Sequence, residues 1–517
     1  MRVLRVLAGI SAVGLIVPAI SFGCIYPEDN CARARDCPSP GAGVTGTTTG
    51  GNDAGTPPSC VPSQAEGAVE DKCGIFVSAS VGNDANSGTK GSPVATIGHA
   101  ILEANGTNRP IYVCNEAFTE VVEAPAGVEL YGGLDCASGW TWSEAGRTTL
   151  TAASDSVPLK LTSGTAVTRI ENFAVTAADA TQPGGSSIAA IVDNVTAELA
   201  HCEFIAGAGR DGADGQTDMT PATEGANGQT GTAACDSGGN AKGGAGGMVT
   251  CEGDATSQGG NGGTGGIPST DSGNGQAGSA GQPGDVAGGT GQTDLIAGAC
   301  TKGQDGADGM TGAVGVGGAE VGLLSISGIS GGNGGNGEPG KPGQGGGGGG
   351  GSKAGVFCGG VEGTGASGGG GGSGGCGGRG GAGGQAGGSS IALISLNSNL
   401  TLTKLVLTSG VGGKGGVGGV GLSGANPGTG GIGGGKSASP SKTGCAGGNG
   451  GFGGEGGPGG GGRGGHSLGM AFRGAPPPAE GFTIAVGMPG EGGMGATMDP
   501  AGLGAAGAAS MTPAEFP

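Results

Sequence analysis

The chain has 517 residues, of which 137 are glycine, and a formal net charge of −19. Glycine at that level without a Gly-X-Y period throughout argues against collagen, and it means that length overstates the core the chain can form. The acidic balance and the lack of clustered Lys and Arg speak against nucleic acid as a partner.

In chain order, Arg2 and Arg5 precede an uncharged apolar stretch from Val6 to Val17, and Ser21-Phe22-Gly23 supplies a small-x-small site before Cys24. This is the layout of a signal peptide over residues 1–23. The apolar stretch is too short to span a bilayer, which takes about 20 helical residues. Cys24 directly after Gly23 resembles a bacterial lipoprotein signal, in which the cysteine is acylated, although Ser21 and Phe22 depart from the Leu and small residue preferred there. The resemblance implies lipidation at Cys24 and membrane attachment through a lipid anchor. With Ile25 after the cysteine it implies an outer-membrane lipoprotein of the cell envelope, plain secretion being the alternative.

Residues 24–73 read as a flexible tether, with Pro38-Ser39-Pro40-Gly41 and the polar run from Thr45 to Gly51. Fourteen cysteines in an exported chain imply disulfides. The absence of Cys-x-x-Cys and the three histidines argue against zinc. Short spacings suggest Cys31 with Cys37, Cys60 with Cys73, Cys114 with Cys136, Cys235 with Cys251 and Cys358 with Cys376, leaving Cys300 for Cys445. Cys202 is the odd one, at an inward position of a strand pattern.

Folded sequence is expected from Gly74, with residues 74–205 forming an N-terminal cap and strand coils. Ile75-Phe76-Val77 reads as a strand, residues 94–104 as a short amphipathic helix, and Ile111-Tyr112-Val113, Val128 to Tyr131 and Leu159-Lys160-Leu161 as further short strands. Phe76-Val77-Ser78, Gly82-Asn83-Asp84, Thr96-Ile97, Ala100-Ile101 and Gly127-Val128-Glu129-Leu130-Tyr131-Gly132-Gly133 together resemble the opening of pectin-lyase-like right-handed parallel β-helix proteins. An internal repeat supports this separately. Ile170 to Val175, Leu199 to Phe204 and Leu402 to Leu407 share one apolar pattern, and Gly184-Gly185-Ser186-Ser187-Ile188-Ala189 returns as Gly387-Gly388-Ser389-Ser390-Ile391-Ala392. Such repeats suit a solenoid, because one coil cannot bury its own apolar face.

Glycine-rich insertions occupy 206–316, 330–388 and 408–465, separated by a strand segment at 317–329 and a coil at 389–407; a last coil and tail fill 466–517. Their three-residue rhythm suits close-packed polyproline II helices; a disordered loop is the competing reading. The expected fold is all-β, a right-handed parallel β-helix (solenoid) with long Gly-rich low-complexity loops. The tracts should leave and rejoin it at one corner, and deleting 330–385 should leave the sheets intact.

No catalytic residue and no cofactor emerge. Asp135, Arg169, Asp193, Glu198 and Glu203 are the acids and base that a lyase of the resembled fold would need, yet they are scattered in sequence. Asp211 with Asp214, and Asp305 with Asp308, sit in repeated Asp-Gly-Ala-Asp-Gly loops and are weak calcium candidates. Gly434-Gly435-Lys436-Ser437 lacks the spacing of a phosphate loop. Trp140 and Trp142 are candidates for stacking against a glycan. His99, His201 and His466 have no nucleophile nearby in sequence. The expectation is a non-enzymatic surface protein, structural or adhesive, whose partner is an extracellular polysaccharide or another surface molecule. The alternative is a polysaccharide-binding or polysaccharide-degrading protein on the same fold.

Overall fold

The computed structural model describes residues 60–517 apart from 66, 163, 237–240, 497 and 498. The signal peptide, Cys24, the expected Cys31–Cys37 bridge and most of the tether lie outside the described residues. Ordered structure begins before Gly74. Cys60, Val61 and Val69 are buried with Phe76, Tyr112 and Trp140, and the Tyr112 hydroxyl donates to the Cys60 carbonyl. The helix Ile97–Ala104 starts at Thr96, whose hydroxyl accepts from the His99 amide, while the Glu120 carboxylate accepts from the amides of Ile97 and Gly98. It buries Ile97, Ala100, Ile101 and Ala104 over the first strands.

Three parallel sheets dominate the remainder of the apolar structure. The first holds Ile75–Val77, Ile111–Cys114, Glu129–Asp135, Val167–Glu171, Thr196–Ala200 and Asn399–Thr403. The second holds Ala117–Thr119, Thr148–Thr151, Phe173–Thr176, Glu203–Ile205, Leu405–Thr408 and Phe482–Ala485. The third holds Val122–Pro125, Leu159–Thr162, Ser187–Asp193, Ser390–Leu396, Ser467–Arg473 and Ala509–Ser510. From Ile111 to Ile205 the chain visits first, second and third sheet in fixed rotation. The repeats stack on one another: Leu199 pairs with both Ile170 and Leu402, Phe204 with Val175 and Leu407, and Ile188 with Ile391. Corners between the first and second sheets place Asn172, His201 and Lys404 at φ of 60°, 51° and 51°, so the left-handed residue recurs at the same corner. Inward side chains such as Leu161, Phe173, Ala189 and Leu405 form the main core.

Every long excursion connects the end of a second-sheet strand to the start of a third-sheet strand: Ile205 to Ser390, Thr408 to Ser467, and Ala485 to Ala509. Residues 317–329, expected as a strand segment of the sheets, do not join them. Leu323–Ser325 and Gly328–Ser330 pair with each other antiparallel, and Leu324 seals the outer face of the third sheet against Ile188, Ile391 and Leu468. This cover explains why Ser390–Leu396 is buried along its whole length. Residues 486–496 and 503–508, expected as tail, form two more extended strands of the glycine region.

The glycine tracts are ordered, and the reading of them as loops is corrected. They run out and back as extended segments whose amides donate to different neighbours at intervals of three residues, the period of polyproline II. In the run 345–351, all glycine, Gly346 and Gly349 donate to Gly372 and Gly369, Gly347 and Gly350 to Gln304 and Thr301, and Gly345, Gly348 and Gly351 to Gln282, Ser279 and Gln276. One strand thereby bonds three others. Glycine is required by distance: a Cβ at Gly348 would stand 2.0 Å from the Asn261 carbonyl oxygen, and one at Gly306 would stand 2.1 Å from that of Gln344. None of the three apolar clusters includes a residue of 331–388 or 409–465. The bundle is held by backbone hydrogen bonds, each worth about 1 kcal/mol net, and by disulfides.

Three bridges pair as expected, Cys60–Cys73, Cys114–Cys136 and Cys300–Cys445. Cys235 and Cys251 pair with Cys358 and Cys376, not with each other. Short sequence spacing misled here because out-and-back strands bring residues more than a hundred positions apart side by side. Cys202 is the free cysteine among the described residues, and burial pushes its thiol up to about 12. The region deleted with 330–385 contains strands at the centre of the bundle, so its removal is expected to dismantle the bundle instead of trimming a loop. A finer test is Gly348→Ala, which should lower stability by more than about 2 kcal/mol in denaturant unfolding. Gly435→Ala, where a Cβ would meet only the Ala233 Cβ at 4.0 Å, should change it by less than about 0.5 kcal/mol. Equal effects at the two positions would refute the backbone-contact account.

Candidate functional sites

On the outer side of the corner between the first and second sheets, Trp142, Glu144, Glu171, His201 and Lys404 come together. His201 Nε2 lies 3.8 Å from Glu144, His201 Nδ1 lies 3.7 Å from Glu171, and the Trp142 ring meets the imidazole edge-on at 6.2 Å. Lys404 binds Glu144. Trp142 Nε1, Glu171 Oε1, Asn172 Oδ1 and His201 Nδ1 are buried with no hydrogen-bond partner. A proton on Nδ1 would pair it with the Glu171 carboxylate, which fits a structural clasp between successive rungs. Sequence reading did not find this cluster, whose members are up to 262 residues apart.

The lyase-type candidates separate. Asp135, Asp193 and Glu203 lie on strands of the first, third and second sheets. Arg169 and Glu198 do meet, as partners on adjacent strands of the first sheet. The guanidinium donates to Glu198 at 2.6 Å and to the Tyr131 hydroxyl at 3.3 Å, and Glu129 stands 3.8 Å away. Arg169 is thus engaged by two carboxylates. The tryptophans also part. Trp140 is 3 % exposed and packs edge-on against Phe76 at 4.8 Å, within the aromatic cluster that includes Tyr112 and Tyr131. Trp142 is half-buried against His201.

The Asp-Gly-Ala-Asp-Gly repeats acquire a common role. Asp211 and Asp214 accept from the amides of Lys414 and Val417 at 2.7 and 2.8 Å, and Asp305 and Asp308 accept from those of Asn449 and Phe452 at the same two distances. Asn227, Asn261, Asn333 and Asn336 do likewise for neighbouring strands. In the two Asp loops the side-chain oxygen answers a backbone bond in the other direction between the same two strands, as where the Gly212 and Gly306 amides donate to the carbonyls of Lys414 and Asn449. Among the described residues no group of three or more His, Cys, Asp or Glu could hold a metal ion. The signal missed in the sequence was the spacing of Asp and Asn in step with glycine. Asp211→Asn with Asp214→Asn should leave thermal unfolding unchanged, while the double alanine variant should cost about 0.5–1.5 kcal/mol per lost bond. Calcium should shift neither protein, and a calcium-dependent rise in midpoint lost in the asparagine variant would reverse this assignment.

His99 lies in the first turn of its helix, with Nε2 3.2 Å from Glu103 one turn on. His466 is buried at the start of Ser467–Arg473. Its Nδ1 accepts from the Ala508 amide at 3.0 Å, Nε2 stands 3.4 Å from the Val321 carbonyl, and the ring meets Phe516 edge-on. Burial, helped by the nearby Arg463, holds this imidazole below the ordinary histidine range. The unfolded chain therefore takes up the proton first, and the stabilising contribution is present above the ordinary histidine pKa and lost as pH falls below it. The protection of the Ser467 and Ala508 amides against hydrogen exchange, corrected for the intrinsic pH dependence of exchange, should fall on acidification from pH 7.5 to 5.5. In His466→Asn, which keeps an acceptor and cannot titrate, it should not.

The remaining surface is the glycine bundle. Its outermost strands show one side chain in three to solvent, as with Val411, Lys414, Val417 and Val420 on one strand and Met488, Glu491 and Met494 on the next. Its far end is a group of turns near Cys235, Ile267, Leu295, Cys358 and Ser439. Comparison with family models, curated proteins and solved structures finds no match to this chain.

Proposed function

We propose that the chain is an exported, non-enzymatic surface protein, structural or adhesive, in which a right-handed parallel β-helix serves as base for a rigid glycine bundle. The rotation of the chain through three parallel sheets supports the helix, and right-handed crossovers are the rule for parallel strands. Five disulfides speak for an oxidising, extracellular environment. Among the described residues no helix is long and apolar enough to cross a membrane. In this reading attachment runs through acylated Cys24 and the tether after it.

The observation that carries the proposal is the bundle itself. The strand that leaves the second sheet at Ser409 reaches Gly435 before turning, and 26 polyproline II steps extend about 80 Å. Such a rod carries side chains outward at intervals of roughly 9 Å and gives a partner a stiff surface already paid for in ordering entropy. Mass spectrometry of the protein recovered from its native cell should show an acylated N-terminal Cys24. Lysines of intact cells should be reachable by an impermeant label, and thiol trapping in denaturant should find at most two free cysteines. A cytosolic protein with mostly reduced cysteines would overturn the proposal.

A further inference from the structure

From Gly363 to Gly454 the chain contains five basic residues, Arg379, Lys404, Lys414, Lys436 and Lys442, and no Asp or Glu, within a protein of net charge −19. Three of the five are committed. Arg379 pairs with Asp218 and Glu252, Lys404 with Glu144, and Lys414 with Glu491. Lys436 and Lys442 have no partner among the described residues, and both belong to one turn at the far end of the bundle. That turn forms one wall of a cavity of about 500 Å³, with Ile296 from a second turn on the other side.

The two turns are fixed in place. Cys300 and Cys445, each immediately beyond its turn, are joined by a disulfide. Asp294 Oδ1 accepts from the amides of Ile296 and Ala297, each at 2.8 Å, which ties this turn together. The side chain of Gln292 donates to the carbonyls of Asp294 and Gly298. The opposite turn is closed by the Ser437 amide on the Ser441 hydroxyl. The cavity between them presents two ammonium groups, the exposed hydroxyls of Ser439 and Thr443, and apolar surface from Ile296 and Pro440.

We propose that this cavity binds an acidic saccharide. The ammonium groups would take a carboxylate or sulfate, the hydroxyls would meet sugar hydroxyls, and Ile296 with Pro440 would lie under a ring face. A volume of this size admits one or two sugar rings, within the usual range of ligand sites. Lysine suits the task as a compact charge that needs no fixed donor fork. The proposal deepens the adhesive reading, since it gives the rod a ligand at its tip, but the cavity binds or fails to bind wherever the protein resides.

The test is titration calorimetry of the purified disulfide-bonded protein lacking residues 1–24 against a polyuronate, dextran sulfate, neutral dextran and a duplex DNA oligonucleotide. Binding is expected to the polyuronate or to dextran sulfate, weakened at least tenfold between 50 and 200 mM salt, and not to neutral dextran. Lys436→Ala with Lys442→Ala should reduce affinity at least tenfold with unfolding unchanged, and the mild change Lys436→Arg should retain binding. Loss of binding with Cys300→Ser and Cys445→Ser together would agree with clamped turns. Failure to bind either acidic polymer, binding unaffected by the lysine pair, or DNA bound as tightly as the acidic polymers would overturn the proposal. A protein found on the cell surface that fails here refutes the cavity and spares the adhesive reading; binding by a protein found inside the cell does the reverse.

Discussion

The approach of one backbone to another at a distance that leaves no space for a β-carbon governs the larger part of this molecule. Hydrogen bonding between polyproline II segments asks each amide to reach a carbonyl on a separate strand, and three faces of each segment are available. Glycine costs more conformational entropy on folding than any other residue, and none of the apolar clusters among the described residues includes 331–388 or 409–465 to offset that loss. What offsets it is dense amide pairing, together with three bridges that close spans of 123, 125 and 145 residues. Long closures of this kind restrict the unfolded chain most, in the chain-entropy account of disulfide stabilisation.

The sheets obey ordinary rules and supply the ground on which the bundle starts. Apolar side chains at Ile170, Leu199 and Leu402 stack in register, and the left-handed corner residues sit above one another. The third sheet is apolar on both faces because the antiparallel hairpin at 323–330 covers its outside. Sheet and bundle share one offset. Ser187 pairs with Ser390 and Asp211 caps the amide of Lys414, each 203 residues on, so the register set by the strands continues into the first part of the glycine region, and it slips to 202 by Asn227 and Thr429.

Much of the sheet structure was legible in the sequence because it is written in apolar side chains. The strand-corner-strand repeats, the capping helix, three of the bridges and the isolation of Cys202 could all be read from pattern and spacing. The bundle was not legible in the same way, since its contacts are made by backbone atoms that every residue possesses. A sequence of glycines looks alike whether it is mobile or fixed. The information lay in phase: three glycines per triplet where a strand's amides donate to three others, as at 345–351, two where they donate to two, as along 447–457, and one on outer strands such as 303–318. The partners of Trp140 and of the Asp-Gly-Ala-Asp-Gly carboxylates were hidden for a related reason, because packing and backbone capping leave no spacing of their own in the sequence.

That phase has an evolutionary consequence. Adding or removing one residue within a bundle strand would turn everything beyond it by a third of a revolution, driving side chains such as Lys341 or Phe452 into positions where only hydrogen fits. Where the glycine phase runs, length is therefore held to whole triplets and antiparallel neighbours must change together; the one-residue slip between the two tracts, from an offset of 203 at Asp214 to 202 at Asn227, falls in 216–224, which has no glycine. The glycine region behaves like a ruler graduated in steps of roughly 9 Å, on which related chains would be expected to differ by discrete notches and to preserve the sheets beneath untouched.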